Sequence, residues 1–134
     1  MDGAVTPAGP MIDHVSITVS DLARSTAFYA KVLAPLGYEK LVTRATTVGF
    51  GKNYPEFWVN LRDGEKNPSG THIALRARDR DAVDAFYDAA LAGGGTGDGA
   101  PGFREAYSPR YYAAFIRDAD DNRIEAVTFV EKAG

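Results

Sequence analysis

Two histidines, His14 and His72, are the only imidazoles in this 134-residue chain, and each opens an alternating run of residues. The first run is IDHVSITV, residues 12–19, and the second is THIALRA, residues 71–77. Alternation of apolar and polar residues predicts half-buried strands in which every second side chain lies on the same face. A histidine on the polar side of a strand is either an ordinary solvated residue or a metal ligand. The shared placement of the two histidines favours a common chemical role.

The sequence around the two histidines is repeated. When the chain is aligned with itself at a separation of 58 residues (72 − 14), identities recur in one register without a gap. They include His14 and His72, Asp21 and Asp79, Ala27 and Ala85, Phe28 and Phe86, Tyr29 and Tyr87, and Gly37 and Gly95. We therefore predict that the chain contains two copies of one structural unit.

Each copy has the pattern of a strand, a helix and three further strands. Asp21 and Asp79 follow the first strands, and their carboxylates are suited to capping a helix N-terminus. Apolar residues then recur at helical spacing until Pro35 and Gly37 end the first helix and residues 93–95 end the second. The remaining predicted strands are residues 38–44, 46–50 and 56–62 in the first copy, and a weakly indicated glycine-rich stretch 94–102, 111–117 and 123–130 in the second.

The predicted fold class is therefore α+β, with two tandem βαβββ modules that form curved mixed sheets around a cleft. Residues 11–131 would form a single domain, with module 1 at about 11–64 and module 2 at about 70–131. Residues 1–10 are predicted to be a disordered or extended N-terminal arm.

This doubled unit resembles the vicinal oxygen chelate superfamily, which includes glyoxalase I, extradiol dioxygenases and bleomycin-resistance proteins. The residues that carry the resemblance are His14 in IDHVSITVSDLARSTAFY, His72 in GTHIALRA and Glu125 in DADDNRIEAV. The resemblance covers about residues 11–131. It implies a small-molecule substrate that binds through two adjacent oxygens, and a two-fold homodimer.

The resemblance also implies that His14, His72 and Glu125 are metal ligands. Strand alternation agrees, since Glu125 points away from its neighbours Ile124 and Ala126. If two sheets face each other, two imidazoles and one carboxylate can converge there, a set that suits a divalent Fe, Mn, Ni, Co or Zn ion. Residue patterns leave open whether one chain or two supply the three ligands.

Two positions depart from the superfamily pattern. Trp58 aligns with Glu125, where four-ligand members such as glyoxalase I carry a carboxylate, so a four-ligand site is not expected. The Trp58 ring would either stack on a substrate ring or fill the core. In the turn DADDN, Ala119 and Asp121 stand where relatives commonly have Pro and Gly. Asp tolerates a left-handed backbone, so the turn is expected to form.

Further candidate residues would complete a substrate pocket. Asn60 shares the predicted face of Trp58, and Arg76 shares that of His72 and is suited to a substrate oxyanion, although a salt bridge at the rim is the alternative. Tyr107 is a third candidate for substrate binding. Adjacent strand residues face opposite ways, so only one of Tyr111 and Tyr112 can enter the cleft. Parity does not decide which, and Tyr112 is the favoured candidate for a catalytic phenol.

Composition excludes several other functions. The net charge is −3 and no basic patch occurs, which argues against nucleic acid or an anionic membrane as partner. The chain has no cysteine, which excludes thiolate metal sites and thiol nucleophiles. No secretory signal and no apolar segment of about 20 residues is present, so a cytoplasmic location is expected.

These observations favour a small metal-dependent enzyme of the glyoxalase or dioxygenase type. The reaction is unresolved between a lyase or isomerase and a ring-cleaving dioxygenase. The alternative is a non-catalytic, antibiotic-like small-molecule binding protein of the bleomycin-resistance type, for which the aromatic residues and the negative charge are suitable. Such sequestering members usually lack the His/His/Glu set, which favours the enzyme. A degenerate member that keeps the three residues without a metal is the third alternative.

Overall fold

The computed structural model describes residues 12–62 and 71–131, which form two modules of identical topology. In module 1, strand β1 (Val15–Val19) leads into helix α1 (Leu22–Leu33) and a 3₁₀ turn, and is followed by the other strands, β2 (Glu39–Thr43), β3 (Thr47–Gly51) and β4 (Pro55–Leu61). In module 2, the order is β5 (His72–Arg76), α2 (Arg80–Ala92), β6 (Thr96–Phe103), β7 (Tyr111–Arg117) and β8 (Arg123–Phe129). The predicted tandem βαβββ fold is confirmed.

Each module contains one mixed four-stranded sheet. The strand orders are β1-β4-β3-β2 and β5-β8-β7-β6, so the same connectivity occurs twice. The first strand of each module pairs in parallel with the last, and the other pairs are antiparallel. The register also repeats, because Ser16 lies opposite Trp58 in module 1 as Ala74 lies opposite Glu125 in module 2. The alignment of Trp58 with Glu125 is thus confirmed.

Both helices begin at the predicted caps. The Asp21 carboxylate accepts a hydrogen bond from the Arg24 amide at 3.0 Å, and the Asp79 carboxylate accepts one from the Ala82 amide at 2.9 Å. Such bonds satisfy amides that have no partner within the helix. Gly37 ends the 3₁₀ turn with φ of 87°, a left-handed conformation that favours glycine. No helix in residues 12–62 or 71–131 is long and apolar enough to cross a membrane.

One hydrophobic core lies between the sheets and the helices, and α1 and α2 also pack against each other. Its side chains come from alternate strand positions and from the inward side of each helix. The largest fully buried members are Tyr29, Phe50, Phe57, Phe86, Leu33, Ile116 and Ile124. The other face of each sheet, turned away from its helix, is called here the open face. On the second sheet it carries a separate apolar cluster of Ala113, Phe115 and Val127, bordered by Tyr111 and Phe129.

A turn of module 2 forms hydrogen bonds with module 1. Buried Asp118 accepts a hydrogen bond from the Tyr29 hydroxyl of α1 at 2.6 Å, and the Asn122 side chain donates to the Thr18 carbonyl at 3.0 Å. Burial, together with the nearby Asp118 charge, raises the pKa of Tyr29 well above its usual value. Asp121, where relatives commonly have Gly, adopts φ of 67°, so the turn forms with Asp in the left-handed region as expected.

The number of predicted strands is correct, and the predicted and observed strands differ mainly at their ends. The glycine-rich stretch with the weakest signal forms an eight-residue strand, β6, which pairs with β7 through two shifts of register. The predicted N-terminal arm, residues 1–10, lies outside the described residues.

Candidate functional site

The open face of the second sheet carries a carboxylate and an imidazole in direct contact. Glu125 lies in β8 and is 2% exposed, and its Oε1 is 2.8 Å from Nε2 of His72 at the start of β5. Because β5 and β8 are parallel neighbours with Ala74 opposite Glu125, the small Ala74 side chain leaves room for this contact. A buried carboxylate requires partners, and His72 is one of them.

Tyr111 supplies the second partner of this carboxylate. Its hydroxyl donates a hydrogen bond to Oε2 of Glu125, so each carboxylate oxygen has its own partner. Burial, with this hydrogen bond as the next cause, raises the pKa of Tyr111. The phenol therefore remains a donor at neutral pH. The interaction fixes the orientation of Glu125 across β7 and β8.

Aromatic rings and guanidinium groups surround this pair. Phe115 lies opposite Glu125 in the register of β7 and β8, and its ring centroid is 6.0 Å from that of His72. The guanidinium carbons of Arg123 and Arg104 lie 5.2 and 5.5 Å from the Phe115 ring centroid. Arg123 is also paired with Asp98 at 2.7 Å. Glu125 is thus held beside an apolar surface with cations at its margin.

His14 lies just before β1, with its side chain 55% exposed. Its Nδ1 is 2.6 Å from the Asp13 carboxylate, which also accepts a hydrogen bond from Tyr54 at 2.9 Å. The hydrogen bond with His14 is the largest cause that lowers the pKa of Asp13. A carboxylate at Nδ1 favours the tautomer whose Nε2 can accept a proton or bind a metal.

The predicted ligands are therefore brought together only in part. His72 and Glu125 touch each other, whereas His14 contacts Asp13 near the edge of the first sheet. Both histidines line a groove of about 320 Å³ between the edge strands β1 and β5. Within residues 12–62 and 71–131, no three His, Asp or Glu side chains are arranged to hold one metal ion.

The open face of the first sheet forms a second cavity, of about 330 Å³, here called the Trp58 pocket. Its lining residues are His14, Ser16, Arg44, Thr47, Tyr54, Pro55, Trp58 and Asn60. Trp58 is half-buried there and is outside the core, so the core-filling alternative does not describe it. Thr47 donates a hydrogen bond to Oδ1 of Asn60 at 2.5 Å. Two of the predicted substrate-binding residues, Trp58 and Asn60, thus share one cavity.

The other two predicted substrate-binding residues lie on the second sheet. The Arg76 guanidinium carbon is 5.2 Å from the Phe129 ring centroid, and Tyr107 packs edge-on against Tyr111 at 5.0 Å. Phe129 and Tyr111 are themselves in edge contact. Arg76 and Tyr107 therefore border the same aromatic cluster as Glu125.

The prediction that Tyr112 enters the cleft is wrong. Tyr112 lies opposite Thr128 on the helix-facing side of β7, and its hydroxyl donates to Asp84 of α2 at 2.6 Å. Phe103 packs edge-on against its ring. Tyr111 takes the open face because strand parity sends neighbouring side chains to opposite faces.

Sequence reasoning missed three contributors to these sites. Asp13 directly precedes His14, and a carboxylate beside a candidate ligand was a signal that could have been used. Tyr54 reaches Asp13 from a turn, and no local pattern predicts that contact. Arg44 follows β2, where the register shifts between Lys40 and Val42, so strict alternation could not assign its face.

The fold and site define a protein of the paired-βαβββ class, and comparison with known proteins gives the family. Residues 11–126 match the model of the Glyoxalase/Bleomycin resistance protein/Dioxygenase superfamily, and the chain belongs to this superfamily. No curated protein matches the sequence.

Solved structures agree with this assignment. A glyoxalase/bleomycin resistance protein from Albidiferax ferrireducens is 30% identical, with a TM-score of 0.80, and the match covers 88% of this chain and 98% of that one. The fosfomycin resistance protein FosX from Listeria monocytogenes is 16% identical, with a TM-score of 0.66 and coverage of 95% and 96%. A variant of FosX, 17% identical with a TM-score of 0.68 and 93% coverage of both chains, was solved with Mn(II) and 1S,2S-dihydroxypropylphosphonic acid.

Proposed function

We propose that this chain is a metal-dependent enzyme of the glyoxalase and dioxygenase type, acting on a small molecule with two adjacent oxygens. The observation that carries the proposal is the contact of His72 and Glu125 on the open face of the second sheet. The Glu125 carboxylate is 2% exposed and lies against an imidazole nitrogen beside apolar rings. Burying such a charged group lowers the free energy of unfolding, so stability alone does not explain the arrangement. Such groups are commonly retained at functional sites.

The donor set fits a divalent metal ion. Nε2 of His72 and Oε1 of Glu125 are 2.8 Å apart, close to the distance of about 3 Å between neighbouring ligands of one ion with bonds near 2.1 Å. One neutral nitrogen and one anionic oxygen suit Mn, Fe, Co, Ni or Zn. Tyr111 holds the other carboxylate oxygen, in the manner of the outer partners that orient metal ligands.

We propose that His14 of a second copy is the third ligand, in a two-fold homodimer. His14 lies on the first sheet and His72 with Glu125 on the second. The two modules are related by the repeat, so a two-fold pairing can place the first sheet of one copy against the second sheet of the other. The Asp13 carboxylate at Nδ1 prepares Nε2 of His14 for such a role.

When bound, the ion supplies a Lewis acid for the substrate oxygens. The residues of the chain provide the surroundings. Tyr111 positions Glu125, and Phe115 and Phe129 keep an apolar wall beside it. Arg76 and Arg104 border this wall with cationic groups suited to an anionic substrate oxygen. Because Trp58 takes the position equivalent to Glu125, the proposed site would have three protein ligands, which favours ring cleavage over isomerisation by a metal-bound carboxylate base.

A binding protein that captures cationic antibiotics is disfavoured by the same residues. Arg44 lines the Trp58 pocket and Arg76 borders the aromatic cluster, so both open faces carry guanidinium groups. Cations repel cations in a cleft of low dielectric.

Metal analysis of untagged protein, purified without chelator, tests the proposal. We expect about one Mn, Fe, Co, Ni or Zn ion per chain, either as purified or after addition of Mn(II). His72→Gln should abolish this binding, whereas Lys31→Gln, a change at the end of α1, should leave it unchanged. Absence of binding in the wild type for all five metals would contradict the proposal.

A further inference from the structure

We propose that the Trp58 pocket binds an aromatic carboxylate, with the ring against the indole and the carboxylate on Arg44. The inference deepens the proposed function by naming the substrate class, and it rests on that function for the reaction. The binding itself is independent of any metal, since it depends on residues of the first sheet.

The indole of Trp58 provides a supported flat surface. It lies across Gly49 of the neighbouring strand, where an added Cβ would be 2.9 Å from the indole Cζ3 and 3.0 Å from Cε3. Gly49 therefore has no room for a side chain, and its backbone supports one side of the ring. The half-buried indole faces the cavity instead of the core. A preorganised aromatic surface of this kind favours a planar ligand group, because stacked rings gain beyond burial alone.

Arg44 provides an unneutralised cation beside this surface. Its guanidinium carbon lies 5.7 Å from the Trp58 ring centroid. Among the residues that the structure describes, no carboxylate pairs with Arg44, whereas Arg24, Arg78, Arg110, Arg117 and Arg123 each have an acidic partner. A guanidinium that contacts an aromatic ring can still donate hydrogen bonds to a carboxylate that lies in the plane of the guanidinium.

Asn60 and Ser16 add hydrogen-bond donors to the pocket, whereas the hydroxyls of Thr47 and Tyr54 donate to Asn60 and Asp13. Oδ1 of Asn60 accepts the hydrogen bond from Thr47, so the N–H groups of the Asn60 side-chain amide point away from Thr47. Ser16 adds a hydroxyl, and no acidic residue is among those that line the cavity in the described part of the chain. An unpaired guanidinium together with these donors, in a lining without an acidic residue, favours an anion over a neutral or cationic ligand.

The size of the cavity limits the ligand. A volume of about 330 Å³ is at the lower end for small-molecule sites, which suits one substituted ring. Trp58 favours a planar ring and Arg44 favours an anionic group, so together they select a benzoate-like molecule. His14 also lines the cavity, so a ligand seated there approaches the proposed metal ligand.

The chain provides a direct probe, because Trp58 is its only tryptophan. Its fluorescence is titrated with benzoate, and with benzamide as a neutral ligand of the same shape, in the presence of EDTA. We expect saturable binding of benzoate and at least about tenfold weaker binding of benzamide, since a charge-assisted hydrogen bond is lost. Arg44→Gln should weaken benzoate binding about tenfold and leave benzamide binding unchanged.

Arg78→Gln is the matched control, because it removes the same charge from a side chain that is 82% exposed and outside the Trp58 pocket. It should change neither affinity. Equal affinities for benzoate and benzamide, an unchanged affinity in Arg44→Gln, or no saturable response to benzoate would each overturn the proposal. The chelator makes these outcomes independent of metal binding, so failure here and failure of the proposed metal site are separate results.

Discussion

The carboxylate of Glu125 and the indole of Trp58 occupy equivalent positions in the two modules. Glu125 lies opposite Ala74 in the parallel pair of β5 and β8, and Trp58 lies opposite Ser16 in the parallel pair of β1 and β4. One open face therefore presents a carboxylate and the other an aromatic surface. The proposed metal site and the proposed aromatic site thus give this equivalent position a metal ligand in one copy of the unit and a ring-binding surface in the other.

Tyr111 is predicted to be a positioning residue for the proposed metal site. Tyr111→Phe removes the hydrogen bond to Oε2 of Glu125 and lets the carboxylate rotate. We expect the Mn(II) affinity, measured by calorimetry, to fall about 10–100-fold, as is usual when an outer partner is lost. Tyr112→Phe is the matched control. It breaks the bond to Asp84 and should lower stability by about 1–3 kcal/mol without changing Mn(II) affinity. Equal affinities in wild type and Tyr111→Phe would refute the positioning role.

Tyr29 should make the stability of the protein sensitive to alkaline pH. Its raised pKa means that the folded protein keeps the phenol protonated while the unfolded chain ionises it near pH 10. The contribution of Tyr29 is therefore fully present below about pH 10 and is lost as the pH rises further.

Urea unfolding of wild type and Tyr29→Phe measures this contribution. At pH 8 the variant should be less stable by about 1–3 kcal/mol, because Asp118 loses a buried donor. Above pH 10 this difference should shrink by about 1.4 kcal/mol per pH unit. A difference that stays constant from pH 8 to pH 11 would contradict the assignment.

The turn at residues 118–122 depends on a left-handed residue. Asp121→Val places a β-branched side chain at φ of 67° and should destabilise the protein by about 1–2 kcal/mol. Ala119→Val, at an exposed position of the same turn without positive φ, should have little effect. Thermal unfolding of both variants measures these changes in stability. Similar losses of stability in the two variants would argue against backbone strain.

The third ligand can be located by complementation between variants. His14→Ala and His72→Ala homodimers should each bind no metal. A heterodimer of the two, isolated through two different affinity tags that lack histidine, keeps one complete site if His14 acts across the dimer. We expect about one ion per heterodimer and about two per wild-type dimer. Lack of binding by the heterodimer would place all three ligands within one chain, and a protein that is monomeric in light scattering at tens of micromolar would exclude the shared site.

The repeat made most of the fold predictable from sequence. Asp21 and Asp79 cap both helices because the capping interaction is local, and β7 has the predicted bounds because its apolar run is bounded by turn residues. Strand β6 was weakly indicated because Gly-rich sequence has little intrinsic strand preference, and its pairing with β7 provides the stabilisation. The conformation of such segments is therefore determined by contacts with residues that are distant in the sequence.

The site was less predictable than the fold. Alternation correctly put Trp58 and Asn60 on one face and His72 with Arg76 on another. It could not choose between Tyr111 and Tyr112, because parity fixes only that they differ, and the choice depends on the pairing of β7 with β8. The partners of His14 and Glu125 were also not predictable, since side-chain contacts between strands depend on register and on rotamers.

Metal titration of the wild type and Glu125→Gln by calorimetry is the most direct test of the central claim. The substitution keeps the side-chain volume and removes the anionic oxygen that faces His72. An amide is a much poorer ligand for a divalent ion, so Mn(II) or Ni(II) affinity should fall by orders of magnitude while the circular dichroism spectrum is unchanged. Glu39→Gln, an exposed position in β2, should bind as tightly as the wild type. Equal affinities of wild type and Glu125→Gln, or no binding by either, would contradict the assignment of Glu125 as a metal ligand.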